Sequence, residues 1–311
     1  MKKQLLRDCG GFTLVEILVT VPLALLVMAG IYRTFKVQQD SYLIQDQVTG
    51  MQQNLRGALH LITRDLLMAG YLSVLDTHPH PVNWDARGGT VNKRAIIIGR
   101  DNVYAPGDGI KDYTDTIVIV KASDEGRSLT PGESAAGVEV QLTSLDVDLN
   151  TEGKRFGLLV KQDYSGADFF EVKSLSGNKI TTATGLSEAY GPGDRIYRAD
   201  LIAYRIDEKS PGHLLRANIG QYNGYQVVAE NIENLQVRYQ LENGTWADDP
   251  GGAEPSIRAV QVLLMGRTEK PQRGYRDTET YTLANSPPLK PNDAYRRKTL
   301  STIVKTRNIG L

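Results

Sequence analysis

The chain has 311 residues, with 36 Lys+Arg against 36 Asp+Glu, 41% hydrophobic residues and a single Cys. That composition excludes a disordered chain, and zero formal net charge excludes the overall basic balance of a dedicated nucleic-acid binder. One Cys allows neither an internal disulfide framework nor a Cys-rich zinc site.

Residues 1 to 11 read MKKQLLRDCGG, with Lys2, Lys3 and Arg7 against Asp8. Phe12 to Tyr32 follow, almost wholly apolar, with Glu16 as the only charge. A helix over this run is about 31 Å long, matching the hydrocarbon core of a bilayer. The basic side comes first, so the positive-inside rule keeps residues 1–11 in the cytoplasm and sends the rest across. A cleaved secretory signal is the plain alternative. Against it, the run is longer than a signal's apolar region, no small-x-small site follows, and helical sequence continues. A simple signal anchor leaves Glu16 unexplained, since an ionisable group costs about 2.5–3.5 kcal/mol at mid-bilayer on insertion scales.

Gly10-Gly11-Phe12-Thr13-Leu14-Val15-Glu16, followed by an apolar helix, resembles the signal of type IV prepilins and type II secretion pseudopilins. The resemblance implies that a membrane prepilin peptidase cuts after Gly11 and methylates the new terminus at Phe12. It implies also that Glu16 acts in assembly. The physics agrees: cleavage would give Phe12 an α-amino cation, and Glu16 lies four residues on, on the same helical face. A buried carboxylate persists when paired, and the amine of this or a neighbouring subunit is the available cation. Snorkelling of Glu16 to the headgroups is the alternative. Pro22 lies mid-run and offers a locus where the helix could bend or unwind on packing into a filament.

Beyond Tyr32 the helix changes character. Ile44, Val48, Met51, Leu55, Ala58, Ile62, Leu66 and Ala69 recur at steps of three or four among polar residues, which predicts an amphipathic continuation. Gly70 is the expected C-cap, and the Thr77–Pro81 segment admits no helix. From there the pattern is β. Strands are expected at 95–98, 116–120, 138–142, 157–160, 195–204, 225–228, 235–239, 257–265 and 299–304, between Gly-, Pro- and Asp-rich turns. Arg267 to Arg296 reads as a long loop. The expected fold class is α+β: one long N-terminal helix packed on an antiparallel sheet. The expected parts are a leader over 1–11, a transmembrane or filament-core helix over 12–35, its amphipathic continuation over 36–70, and a β-rich domain over 71–311.

Within the prepilin family the chain resembles PilW-like minor pilins. The supporting segments are ITRDLLMAGY at Ile62–Tyr71, TDTIVI at Thr114–Ile119, IENLQVRY at Ile232–Tyr239, RAVQVLL at Arg258–Leu264 and the run Arg296–Asn308. The J pseudopilin of type II secretion shares this outline and is the alternative.

Chemistry is sparse. His60, His78, His80 and His213 form no metal-site spacing, and no HExxH, GxSxG or P-loop pattern occurs. Asp101, Asp108, Asp112 and Asp115 cluster near a turn and could offer oxygens to Ca²⁺, but lack EF-hand spacing, so a solvated turn is preferred. Asn243-Gly244-Thr245 fits a glycosylation sequon, yet Asn-Gly is first a turn signal. Arg296-Arg297-Lys298 could touch DNA phosphates; the basic start of an edge strand is preferred.

The sequence therefore reads as a structural minor pilin rather than an enzyme, without a cofactor. Its expected place is the inner membrane, N-terminus cytoplasmic and β-domain periplasmic, and then the pilus. The resemblance implies as partners prepilin peptidase, other major and minor pilins, the inner-membrane assembly platform, and lipid before assembly. No nucleic-acid surface is evident. A globular domain large for a pilin favours a tip or initiating position. A pilus-borne adhesin or DNA-uptake module is the remaining alternative, and would need a basic aromatic groove or a metal loop.

Overall fold

Thr13 opens one helix, α1 (Leu14–Leu67), which runs unbroken through Pro22. The computed structural model describes residues 12–72, 82–83, 90–91, 97–103, 110–128, 139–141, 156–183, 185–208, 212–219, 223–249 and 257–308. The chain divides into two units, Met1–Thr49 and Gly50–Leu311. Within the first, every described side chain from Phe12 to Leu43 is exposed.

In the second unit the helix buries one stripe. Met51, Leu55, Ala58, Ile62, Leu66 and Ala69 are buried, at the steps of three and four expected from sequence. Ile44 and Val48, in the first unit, are half-buried. Gly70, at φ 76°, terminates the helix as the expected left-handed cap. The chain then joins the sheet directly: Gly70 N–H donates to Val120 O, and Ala122 N–H to Tyr71 O.

The strands are β1 (Val82–Asn83), β2 (Thr90–Val91), β3 (Ile97–Val103), β4 (Thr114–Ser128), β5 (Glu139–Gln141), β6 (Phe156–Val160), β7 (Ala167–Ser176) and β8 (Lys179–Thr182). They continue as β9 (Arg195–Ile206), β10 (His213–Asn218), β11 (Asn223–Glu230), β12 (Ile232–Leu241), β13 (Trp246–Ala247), β14 (Ile257–Arg267) and β15 (Arg297–Lys305). All named pairings are antiparallel, so the α+β architecture is as expected.

Strand β9 organises the large sheet. One of its edges pairs with β4 along most of its length, while β6 pairs with its first half and β10 with its second. Strands β7, β8 and β5 extend the sheet beyond β6, and β11 extends it beyond β10. Strand β6 is buried along its whole length, because both faces are covered. Phe156, Leu158 and Val160 join one core, where Phe156 stacks on Phe169 at 5.4 Å, and Leu159 joins another with Phe170, Tyr190 and Ile196. The small sheet has the order β13-β12-β14-β15. Gly266 of β14 lets α1 approach closely, since a Cβ there would sit 3.1 Å from Leu55 Cγ.

Strands β1, β2, β7, β8, β10 and β13 escaped the sequence reading. Strand β10 contains Leu-Leu-Arg-Ala, residues that favour helix, and β7 has few β-branched residues. Arg267 ends β14, and residues 268–296 form the expected loop, interrupted only by a bridge between Tyr281 and Leu289.

Candidate functional site

The N-terminal turn of α1 is a capping box. Glu16 Oε2 accepts from Thr13 N–H at 2.9 Å and from Thr13 Oγ1–H at 2.8 Å, while Glu16 N–H donates back to Thr13 Oγ1 at 3.3 Å. Backbone donors that begin a helix in lipid have no water to satisfy them, and this arrangement supplies acceptors from the chain itself. Two other hydroxyls of this unit are also satisfied internally, Thr20 by Ile17 O at 3.3 Å and Thr34 by Gly30 O at 3.0 Å. The Thr-x-x-Glu spacing at Thr13–Glu16 is the sequence signal for this cap. Phe12 stands at the start of the helix, 85% exposed, and the carboxylate is held by Thr13. Gly10 and Gly11 lie outside the described residues. Helix α1 is long and apolar enough to cross a membrane.

In the second unit, four of the sequence segments that carried the resemblance each place a charged side chain in the interior. Asp65, 1% exposed, projects from α1. Its Oδ2 accepts from Tyr204 Oη–H at 2.6 Å and Arg216 Nε–H at 2.9 Å, and Lys121 Nζ lies 3.7 Å from Oδ1. One carboxylate thus ties the helix to β4, β9 and β10. Burial raises the Tyr204 pKa, and the Asp65 charge and hydrogen bond raise it further. Burial opposes the charge on Arg216, yet the hydrogen bond and charge of Asp65 prevail and raise its pKa.

Asp115 joins the two sheets. Its Oδ2 accepts the Val237 N–H of β12 at 2.6 Å, and Gln236 Nε2 donates to Tyr113 O at 3.1 Å. Of the aspartates considered for Ca²⁺, Asp115 is therefore buried with this oxygen committed to the chain's own backbone. Asp112 lies in the preceding turn, Asp101 on β3, and Asp108 outside the described residues. Among the described residues no group of three His, Cys, Asp or Glu could hold a metal ion. His60 is exposed on α1, and His78 and His80 lie outside the described residues. Asn243-Gly244 forms a tight turn, with Gly244 at φ 82° and Thr245 N–H donating to Asn243 Oδ1.

Arg297 corrects an expectation. It does open edge strand β15, but its side chain turns inward and is only 3% exposed. The guanidinium donates to Glu233 through Nε at 2.6 Å and Nη2 at 3.2 Å, and to Asp293 through Nη1 and Nη2, both at 2.7 Å. Nη1 also reaches Asp277 Oδ2 at 3.1 Å. Burial disfavours its charge, but Asp293 and Glu233 more than offset this, and its pKa rises. Lys111, desolvated nearby, is lowered by burial despite Glu233, with Arg267 and Arg297 adding to the fall. A buried guanidinium with carboxylate partners holds the 268–296 loop on the sheet and offers nothing to a phosphate backbone.

A polar cleft of about 240 Å³ beside this framework is lined by Lys121, Asp200, Arg216 and Gln226 among others.

A family model described as Type IV Pilus-assembly protein W matches residues 203–308, about a third of the chain. No curated protein matches. Among solved structures, a type IV-like pilin from Thermus thermophilus is 20% identical, over 51% of this chain and 87% of that one, with a TM-score of 0.28. The matched third runs from β9 to the end of β15 and contains Tyr204, Arg216, Glu233 and Arg297. Over residues 203–308 the chain is thus PilW-like.

Proposed function

We propose that this protein is a structural minor pilin of a type IV pilus. It is made as an inner-membrane precursor with residues 1–11 cytoplasmic, cut after Gly11 by prepilin peptidase, N-methylated at Phe12 and drawn into a filament. The parts are the leader, the transmembrane or filament-core helix over 12–35, the amphipathic continuation over 36–70, and the β-rich domain over 71–311. The observation that carries this reading is the division of labour along α1. Its first part presents apolar side chains outward behind a capped start, and its last part buries a stripe in a folded domain. Such a helix suits one that lies in lipid first and against other helices later. The W-type match supports a pilus over a secretion pseudopilus.

Membrane helices supply van der Waals packing between subunits, and the globular domains supply partner choice. The size of the β-rich region favours the tip or an initiating position, because a bulky domain packs poorly along a dense shaft. No catalytic step is assigned to it. Deleting the gene in the native host and counting surface pili tests the role. An initiating subunit leaves few pili and a normal processed pool of the major pilin. Unchanged pilus number in the deletion strain, with the protein absent from filaments sheared from the wild type, contradicts it.

A further inference from the structure

The two edges of the small sheet are treated differently. On the β12 side, Asp115 takes the Val237 N–H and strand β13 pairs with Tyr239 and Gln240. On the β15 side no described strand follows.

The direction of the free groups on β15 can be worked out. Thr306 N–H donates to Arg258 O, and the ladder runs from Ala259↔Lys305 to Arg267↔Arg297 without a register shift. Hydrogen bonding alternates along an antiparallel pair. Even-numbered residues therefore face β14, and Thr299, Ser301, Ile303 and Lys305 turn their N–H and C=O groups outward.

Proteins blunt such edges with bulges, brevity, proline or charge. Here β5 and β13 are two or three residues long, and the β3 and β11 ladders carry register shifts. Strand β15 is nine residues long, unbulged and free of proline, with Ile303 57% exposed. Its charges are basic and confined to the ends: Arg297, which is buried, and Lys298 and Lys305, which are exposed.

We propose that the β15 edge is a docking surface for an extended strand of a different protein, carrying a carboxylate near each end to meet Lys298 and Lys305. A second copy of this chain fits poorly. Antiparallel pairing of two β15 edges centred on Ser301 brings Lys305 of each copy near Lys298 of the other, and neither strand offers an acidic side chain to meet them. Backbone hydrogen bonds would supply the attachment and the end charges the register and selectivity.

The test uses the full-length chain in detergent micelles and two short synthetic peptides of alternating Thr and Val, one ending in Asp at both ends and one in Lys. The Asp-ended peptide slows amide exchange at Thr299, Ser301 and Ile303, and binds about tenfold tighter than the Lys-ended one. Ile303→Pro deletes an outward N–H and abolishes this protection with the melting transition intact. The Lys298→Glu, Lys305→Glu double variant, which leaves the backbone untouched, reverses the peptide preference. Equal binding of both peptides, protection on β11 instead, or an unchanged preference in the double variant overturns the proposal. Self-association, with a Ser301→Cys variant forming a disulfide between copies under a mild oxidant, overturns it in favour of a second copy.

Discussion

Tyr204 donates its hydroxyl hydrogen to Oδ2 of Asp65 across 2.6 Å, joining helix α1 to strand β9 inside the carboxy-terminal unit. Arg216 donates to the same oxygen at 2.9 Å, so removing the carboxylate strands a phenol and a guanidinium together. Asp65→Ala is expected to destabilise this unit by about 3–5 kcal/mol, the range for breaking a buried pair at one partner. Asp65→Asn keeps an acceptor and should cost less. Denaturant melts of both variants check this. A loss below about 1 kcal/mol for Ala would mean that the pair is not a structural tie.

The same contact predicts a pH dependence. The Tyr204 pKa is raised in the folded state by burial and by Asp65. A group whose folded pKa lies above its unfolded value gives stability that is complete below the unfolded pKa and is lost as pH rises. For tyrosine the loss begins near pH ~10. Melting temperature should therefore fall between about pH 9.5 and 11.5, and the fall should be shallower in Tyr204→Phe. Parallel profiles for the two proteins would remove Tyr204 from the account.

Much of the fold was legible in the sequence, because periodicity reports burial. The stripe from Met51 to Ala69, the cap at Gly70, and the strands around Ile117, Ile202, Val237, Val262 and Val304 all follow from spacing and β-branched residues. The buried polar framework was not. Asp65 and Arg216 are 151 residues apart, as Glu233 and Arg297 are 64 apart, and no local pattern pairs them. Each charged residue, read alone, looks like part of a solvated face. Only tertiary packing shows that they stand in the interior. The capping box is the opposite case, a local signal carried by Thr13 and Glu16 at three residues' spacing.

That capping box sharpens the test of Glu16. Gln at the same position can still accept from Thr13, so Glu16→Gln removes the charge and keeps the cap. Glu16→Ala removes both, and Thr13→Ala removes the partner that holds the carboxylate. If Glu16 pairs with the Phe12 amine of a neighbouring subunit, both Gln and Ala block incorporation after normal cleavage, and Thr13→Ala weakens it less. The readout is processed subunit in sheared filaments against the processed pool in the membrane. Normal incorporation of Gln alone would leave Glu16 as a helix cap and refute the ion pair.

The mature amino terminus tests the central claim most directly. A pilin precursor cut between Gly11 and Phe12 has a terminus that no secretory signal or simple membrane anchor would produce. Intact mass and terminal sequencing of the protein purified from its native host should give a chain beginning at N-methylated Phe12. A chain that retains Met1, or one that begins beyond Gly30, would contradict the account.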